Sequence, residues 1–136
     1  MPGLIDGGLR NIFKENLRTW HWQSLETGAY APGVPDVNAC KNGREIWVEY
    51  KRTTALAVKF RPLQPGWILK RSSVGGHVYV AIRVTKKDVD DLLIYAGNDV
   101  LALQEHGIRL TTYLGKWSGG PKQWNWPEVD TILAGK

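Results

Sequence analysis

Asn42-Gly43 sits between two runs of strand-forming residues, Val37 to Lys41 and Arg44 to Lys51. Asn-Gly is the strongest short-range hairpin signal, because both central residues of a type I′ turn need φ > 0. A two-residue loop sets Lys41 against Arg44, Ala39 against Ile46, Val37 against Val48 and Asp36 against Glu49. Side chains alternate across a strand. Asp36, Asn38, Trp47, Glu49 and Lys51 then share one face, and Val37, Ala39, Ile46, Val48 and Tyr50 share the other. A three-residue loop with a bulge at Gly43 shifts this pairing by one.

The two-residue register opposes two carboxylates. Directly opposed residues have Cβ atoms about 4.5–5.5 Å apart, where like charges are destabilising. A divalent cation between Asp36 and Glu49 removes that conflict. Mg²⁺ takes one or two carboxylates and completes its shell with water and substrate phosphate. Lys51 lies two residues on, on the same face, where it can orient a water or offset charge on a phosphate.

Pro35-Asp36 followed by Glu49-Tyr50-Lys51 resembles the PD-(D/E)XK nuclease signature. Gly33-Val34-Pro35-Asp36, Trp47 to Lys51 and the later Leu63-Gln64 are similar to its VRR-NUC branch, found in phages and in repair nucleases. The resemblance is densest from about Leu25 to Val84. It implies an α/β fold with a restriction-endonuclease-like core, a central mixed β-sheet flanked by helices. It also implies Mg²⁺ or Mn²⁺ held by Asp36, Glu49 and the backbone carbonyl of Tyr50, with Gln64 on a helix beside the site. In related nucleases a glutamate from the first helix completes the metal site. Glu15 is the residue so placed here, and Glu26, just before the Gly-Val-Pro-Asp entry, competes with it. Stand-alone relatives of this kind are small phage-type enzymes, similar to Holliday junction resolvases, that cut branched DNA.

At 136 residues one domain is expected, covering 1–136, with a nuclease-like core over about 9–85 and an α/β appendage over about 86–136. The chain carries 18 basic and 13 acidic residues, a net charge of +5, which favours an anionic partner. Arg52, Lys59, Arg61, Lys70 and Arg71, with Lys51, form its densest basic cluster and are the expected contacts to a DNA backbone. Cys40 is the single cysteine, so no intrachain disulfide can form, which fits a reducing compartment. No run is apolar enough for a membrane span and no signal-peptide pattern is present. The expectation is a cytoplasmic protein, in the host cytoplasm if phage-encoded.

Helical spacing of Leu9, Ile12, Phe13 and Leu17 predicts a first helix over about Leu9 to Thr19. Trp20 to Glu26 reads as a strand, and a lone His21 among tryptophans reads as packing. Pro62 or Pro65 opens a helix that ends at Ser73, before Gly75-Gly76. Residues 77–84 form the clearest remaining strand. Lys86 to Asp91 reads as a solvated turn or a helix start, Leu92 to Tyr95 as a short strand, and Asp99 to Glu105 as a helix stopped by Gly107. Ile108 to Leu114 is expected to be another strand, and Pro127 to Leu133 a short helix. The C-terminal tryptophans are expected to cover the sheet edge.

The leading expectation is a metal-dependent DNA endonuclease acting as a homodimer on branched DNA, since C₂ symmetry matches the paired scissile phosphates of a four-way junction. The alternatives are a DNA-binding module that does not cut, an exonuclease or RNA nuclease of the same fold, and a basic structural domain. Retention of Asp36, Glu49 and Lys51 together favours an enzyme over the non-cutting module.

Overall fold

A computed structural model describes residues 5–25 and 32–136 of the chain. Six strands form one sheet in chain order: β1 (His21–Ser24), β2 (Val37–Lys41), β3 (Arg44–Thr53), β4 (Val78–Lys86), β5 (Val89–Ala96) and β6 (Gly115–Trp117). All neighbours are antiparallel except β3 and β4, so the sheet is mixed. A parallel pair needs a crossover, and helix α2 (Gln64–Ser73) supplies it. The other helices are α1 (Leu9–Asn16), α3 (Val100–Leu110) and α4 (Trp126–Leu133).

The hairpin adopts the two-residue loop. Asn42 and Gly43 have φ of 51° and 80°, and Lys41, Ala39 and Val37 pair with Arg44, Ile46 and Val48. Strand alternation divides the core into two layers. Ala39, Ile46, Val48 and Tyr50 pack on one face with Leu9 and Phe13 of α1 and Val129 and Leu133 of α4. Val78, Val80, Ile82 and Tyr95 pack on the other face with Ile68 of α2 and Val100 and Leu103 of α3. Each fully buried aliphatic side chain contributes about 1.5–3 kcal/mol of transfer free energy. Burial on both faces explains why β4 reads as a continuous apolar run.

Several boundaries differ from the sequence expectation. Residues 86–136 contribute β5 and β6 to the same sheet as β1 to β4. The turn at Lys86 to Asp91 is tighter than expected. Asp88 takes φ 60°, and Val89 to Asp91 already pair within β5. Ile108 to Leu114 does not form a strand. Gly107, at φ 74° and ψ −168°, is non-helical and stops the first helical stretch of α3 as expected, a kink separating it from the short stretch that follows; Ile108 N–H bonds Leu56 O, Thr111 Oγ1 bonds Gly107 O, and the last strand starts at Gly115. Helix α2 buries Gln64, Pro65 and Ile68, leaving Leu63 and Val74 exposed.

The C-terminal tryptophans are tied to specific acceptors. The Trp117, Trp124 and Trp126 indoles donate to Glu128 Oε1, Asp90 O and Pro121 O. Among the described residues no helix is long and apolar enough to cross a membrane.

Candidate active site

Strand β2 begins at Val37, and the backbone just before it delivers Asp36 to the end of the β2–β3 ladder. Asp36 continues that ladder with its side chain: Oδ2 accepts the Tyr50 N–H at 2.8 Å. Its carbonyl accepts the Leu25 N–H at 2.9 Å. Arg10 of α1 donates to the same carbonyl at 3.3 Å and to Oδ1 at 3.4 Å. Arg10 was not singled out by sequence. Its signal was its place on the polar side of α1, which does not reveal that α1 packs over the entry to β2.

Glu49 lies in the middle of β3, next to the position opposite Val37, and is 2% exposed. Burial, reinforced by the Asp36 carboxylate, pushes its acid up to about 7, against the opposing pull of Lys51 and Gln64. Oε2 accepts from Gln64 Nε2 at 2.8 Å and lies 3.4 Å from Lys51 Nζ. Oε1 is buried and has no hydrogen-bond partner. Buried polar atoms are nearly always paired, and an orphan costs about 1–3 kcal/mol.

Gln64 is the hub of this cluster and is 1% exposed. Its Oε1 accepts from Lys51 Nζ at 2.8 Å and from the Arg61 N–H at 2.9 Å, while its Nε2 donates to Glu49. Gln64 therefore ties the start of α2 to two residues of β3. Lys51 is further held by the Phe60 ring, 4.8 Å from Nζ to the centroid. The Tyr50 side chain points into the opposite layer, edge-on to Phe13 at 5.1 Å, so only its backbone belongs to this side.

The structure thus brings together Asp36, Glu49, Lys51, Gln64 and the Tyr50 backbone. It does not bring Glu15 to them: Glu15 is exposed and lines a separate cleft with Arg18, Trp20 and His21. Glu26 lies outside the described residues. Among the described residues no three His, Cys, Asp or Glu side chains gather around one point. The donor set is two carboxylates plus main-chain oxygen, within what Mg²⁺ accepts when water and phosphate complete its shell. The orphaned Glu49 Oε1 and the like charge of Asp36 fit a cation here. Of the basic cluster, Arg52, Lys59, Arg61, Lys70 and Arg71 are all exposed. Arg52 and Lys59 line an open cleft that Lys51 also reaches, and Arg52 Nε donates to Thr85 Oγ1 at 3.0 Å.

No protein-family model matches the sequence, and no curated protein matches it either. Among solved structures, the chain is similar to Hjc, a Holliday junction resolvase from the archaeal hyperthermophile Archaeoglobus fulgidus. The two share 15% sequence identity and superpose with a TM-score of 0.53 over 89% of this chain and 95% of that one. This chain has the α/β fold of that resolvase: a restriction-endonuclease-like core, its mixed six-stranded sheet flanked by helices.

Proposed function

We propose that this protein is a metal-dependent DNA endonuclease of the PD-(D/E)XK type, VRR-NUC branch, that cuts branched DNA such as four-way junctions. The observation that carries the reading is Glu49: a buried carboxylate with one orphaned oxygen, a neighbouring Asp36, and Lys51 and Gln64 bonded around its other oxygen. A structural role alone gives no reason to bury that arrangement. The fold likeness to a junction resolvase supports the same class.

Asp36, Glu49 and the Tyr50 carbonyl would hold Mg²⁺ or Mn²⁺. The bound ion supplies Lewis-acid stabilisation of charge on the phosphate and the leaving oxygen. Lys51, fixed by Gln64 and Phe60, orients the attacking water and offsets negative charge as it develops. Gln64 sets the Lys51 ammonium and the Glu49 carboxylate relative to each other. Arg10 holds Asp36 from the far side of the hairpin. Arg52, Lys59, Arg61, Lys70 and Arg71 contact the DNA backbone.

One chain offers one such site, so paired cuts across a junction need two chains, and a C₂ homodimer matches the junction's symmetry. The test is cleavage of labelled four-way, flap, duplex and single-stranded DNA with Mg²⁺, Mn²⁺ or EDTA, alongside light scattering for mass. Metal-dependent cutting of the junction in preference to duplex, by a particle of twice the chain mass, is expected. Absence of cutting on every substrate would overturn the enzyme assignment. Equal nicking of duplex and junction by a monomer would overturn only the junction and dimer parts.

A further inference from the structure

Seven tryptophans stand in the chain, and five of them tie their indole N–H to a protein acceptor: Trp20, Trp22, Trp117, Trp124 and Trp126. Trp47 and Trp67 do not, among the described residues. Neither indole nitrogen is sealed from solvent. These two rings meet edge-to-face, with centroids 5.3 Å apart. The Arg71 guanidinium lies over both, 4.7 Å from the Trp67 ring and 5.2 Å from the Trp47 ring. Among the described residues Arg71 has no carboxylate partner and no side-chain hydrogen bond.

The cluster is held in place. The Gly76 N–H bonds the Arg71 carbonyl at 2.9 Å, and a Cβ on Gly76 would meet Arg71 Cγ at 2.6 Å, so the glycine packs directly against the arginine stem. The carbonyl of the next residue, His77, accepts the main-chain N–H of Trp47 at 2.9 Å. The result is a planar guanidinium beside two indole N–H groups, none of which has a protein acceptor among the described residues. A guanidinium fork stacked on aromatic rings is suited to bidentate binding of phosphate.

Its position gives the ligand. Trp47 lies two residues before Glu49 on the same face of β3, about 7 Å along the strand. Arg71 lies seven residues after Gln64, two turns along α2, on the helix side that faces β3. The donors therefore continue the line that Lys51, Glu49 and Gln64 begin. We propose that Trp47, Trp67 and Arg71 form a clamp for a backbone phosphate of the bound strand, beside the phosphate that is cut. This rests on the DNA-cleaving reading above and adds which phosphate contact is preorganised and by what.

The experiment measures binding of a labelled four-way junction in EDTA, by fluorescence polarisation over a series of salt concentrations, with thermal melts of each variant. Arg71→Ala should weaken binding about tenfold. It should also flatten the slope of log K against log[salt] by about 0.9, the value of one released phosphate counterion. Arg71→Lys should keep the slope but lose several-fold in affinity, because an ammonium cannot make the bidentate contact. Trp47→Phe with Trp67→Phe should likewise keep the slope and weaken binding. Lys122→Ala, on an exposed loop elsewhere, should change neither quantity. If Arg71→Ala misfolds, Arg71→Lys and the tryptophan pair still decide. Wild-type binding and cutting with unaltered affinity in those variants overturns the clamp alone. Failure of the wild type to bind DNA overturns the cleavage reading, and the clamp with it.

Discussion

Gly33 rests against the backbone of Leu63: a Cβ built on Gly33 would lie 2.4 Å from the Leu63 carbonyl oxygen. Gly33 leads into Pro35-Asp36, and Leu63 caps the helix that begins with Gln64. The contact therefore locks the approach to Asp36 against the start of α2, and φ of 86° at Gly33 allows it.

Gly33→Ala should destabilise the protein by about 2–4 kcal/mol, from the left-handed backbone and the backbone overlap together. Gly66→Ala is the contrast. Gly66 is helical, with open space where its Cβ would stand, so alanine there should be neutral or stabilise by up to about 1 kcal/mol. Denaturant midpoints of the two variants check this, and equal midpoints would refute the packing argument.

Asp36→Asn and Glu49→Gln should each lose more than about a hundredfold in cleavage while keeping the fold. An asparagine oxygen can still accept the Tyr50 N–H, and a glutamine removes a buried charge that its surroundings disfavour. Unfolding in EDTA should show stability equal to wild type or higher. A large loss of stability in both variants would mean that the carboxylates serve the fold instead.

Mg²⁺ or Mn²⁺ should raise the unfolding free energy of the wild type, by up to about 2.7 kcal/mol at a hundredfold excess over Kd, and its melting midpoint with it. The Asp36→Asn/Glu49→Gln double variant should lose that response. Calorimetric melts with and without metal measure it; the same shift in both proteins would count against a site at these residues.

Acidification should remove the contribution of Asp130. Burial disfavours its carboxylate, but Lys41 at 2.9 Å and the Trp20 indole N–H at 2.6 Å prevail and hold its acid below the usual 3.8. A carboxyl lowered in the folded state adds stability above its unfolded value and loses it as pH falls through the folded one. The difference between wild type and Asp130→Asn should therefore be full at pH 5–7, begin to shrink as pH falls past about 4, and vanish only once pH is below the lowered folded value. It should stay within about 1 kcal/mol, because the pair is partly solvated. Melts of both proteins from pH 7 to pH 2.5 test it, and a gap that widens in acid would contradict it.

The hairpin was legible from local chemistry alone. Asn42-Gly43 admits positive φ at both turn positions, and from that turn the pairing of Val37 with Val48 follows by counting. The same alternation separated Glu49 and Lys51 from Val48 and Tyr50 without any knowledge of the fold. Helix α2 was legible from its proline start and glycine stop, but its buried side was not. Nothing in the neighbouring sequence distinguishes Gln64 from an exposed helix start, and only docking of α2 on the sheet seals it against Glu49 and Lys51. Arg10 shows the same limit: its helix is periodic in sequence, yet its contact with Asp36 spans 26 positions. Turn and strand preferences act between neighbours in the chain, so sequence determines them. Which charges meet, and which oxygen is left orphaned in the interior, depends on how distant elements pack, and only the tertiary structure decides that.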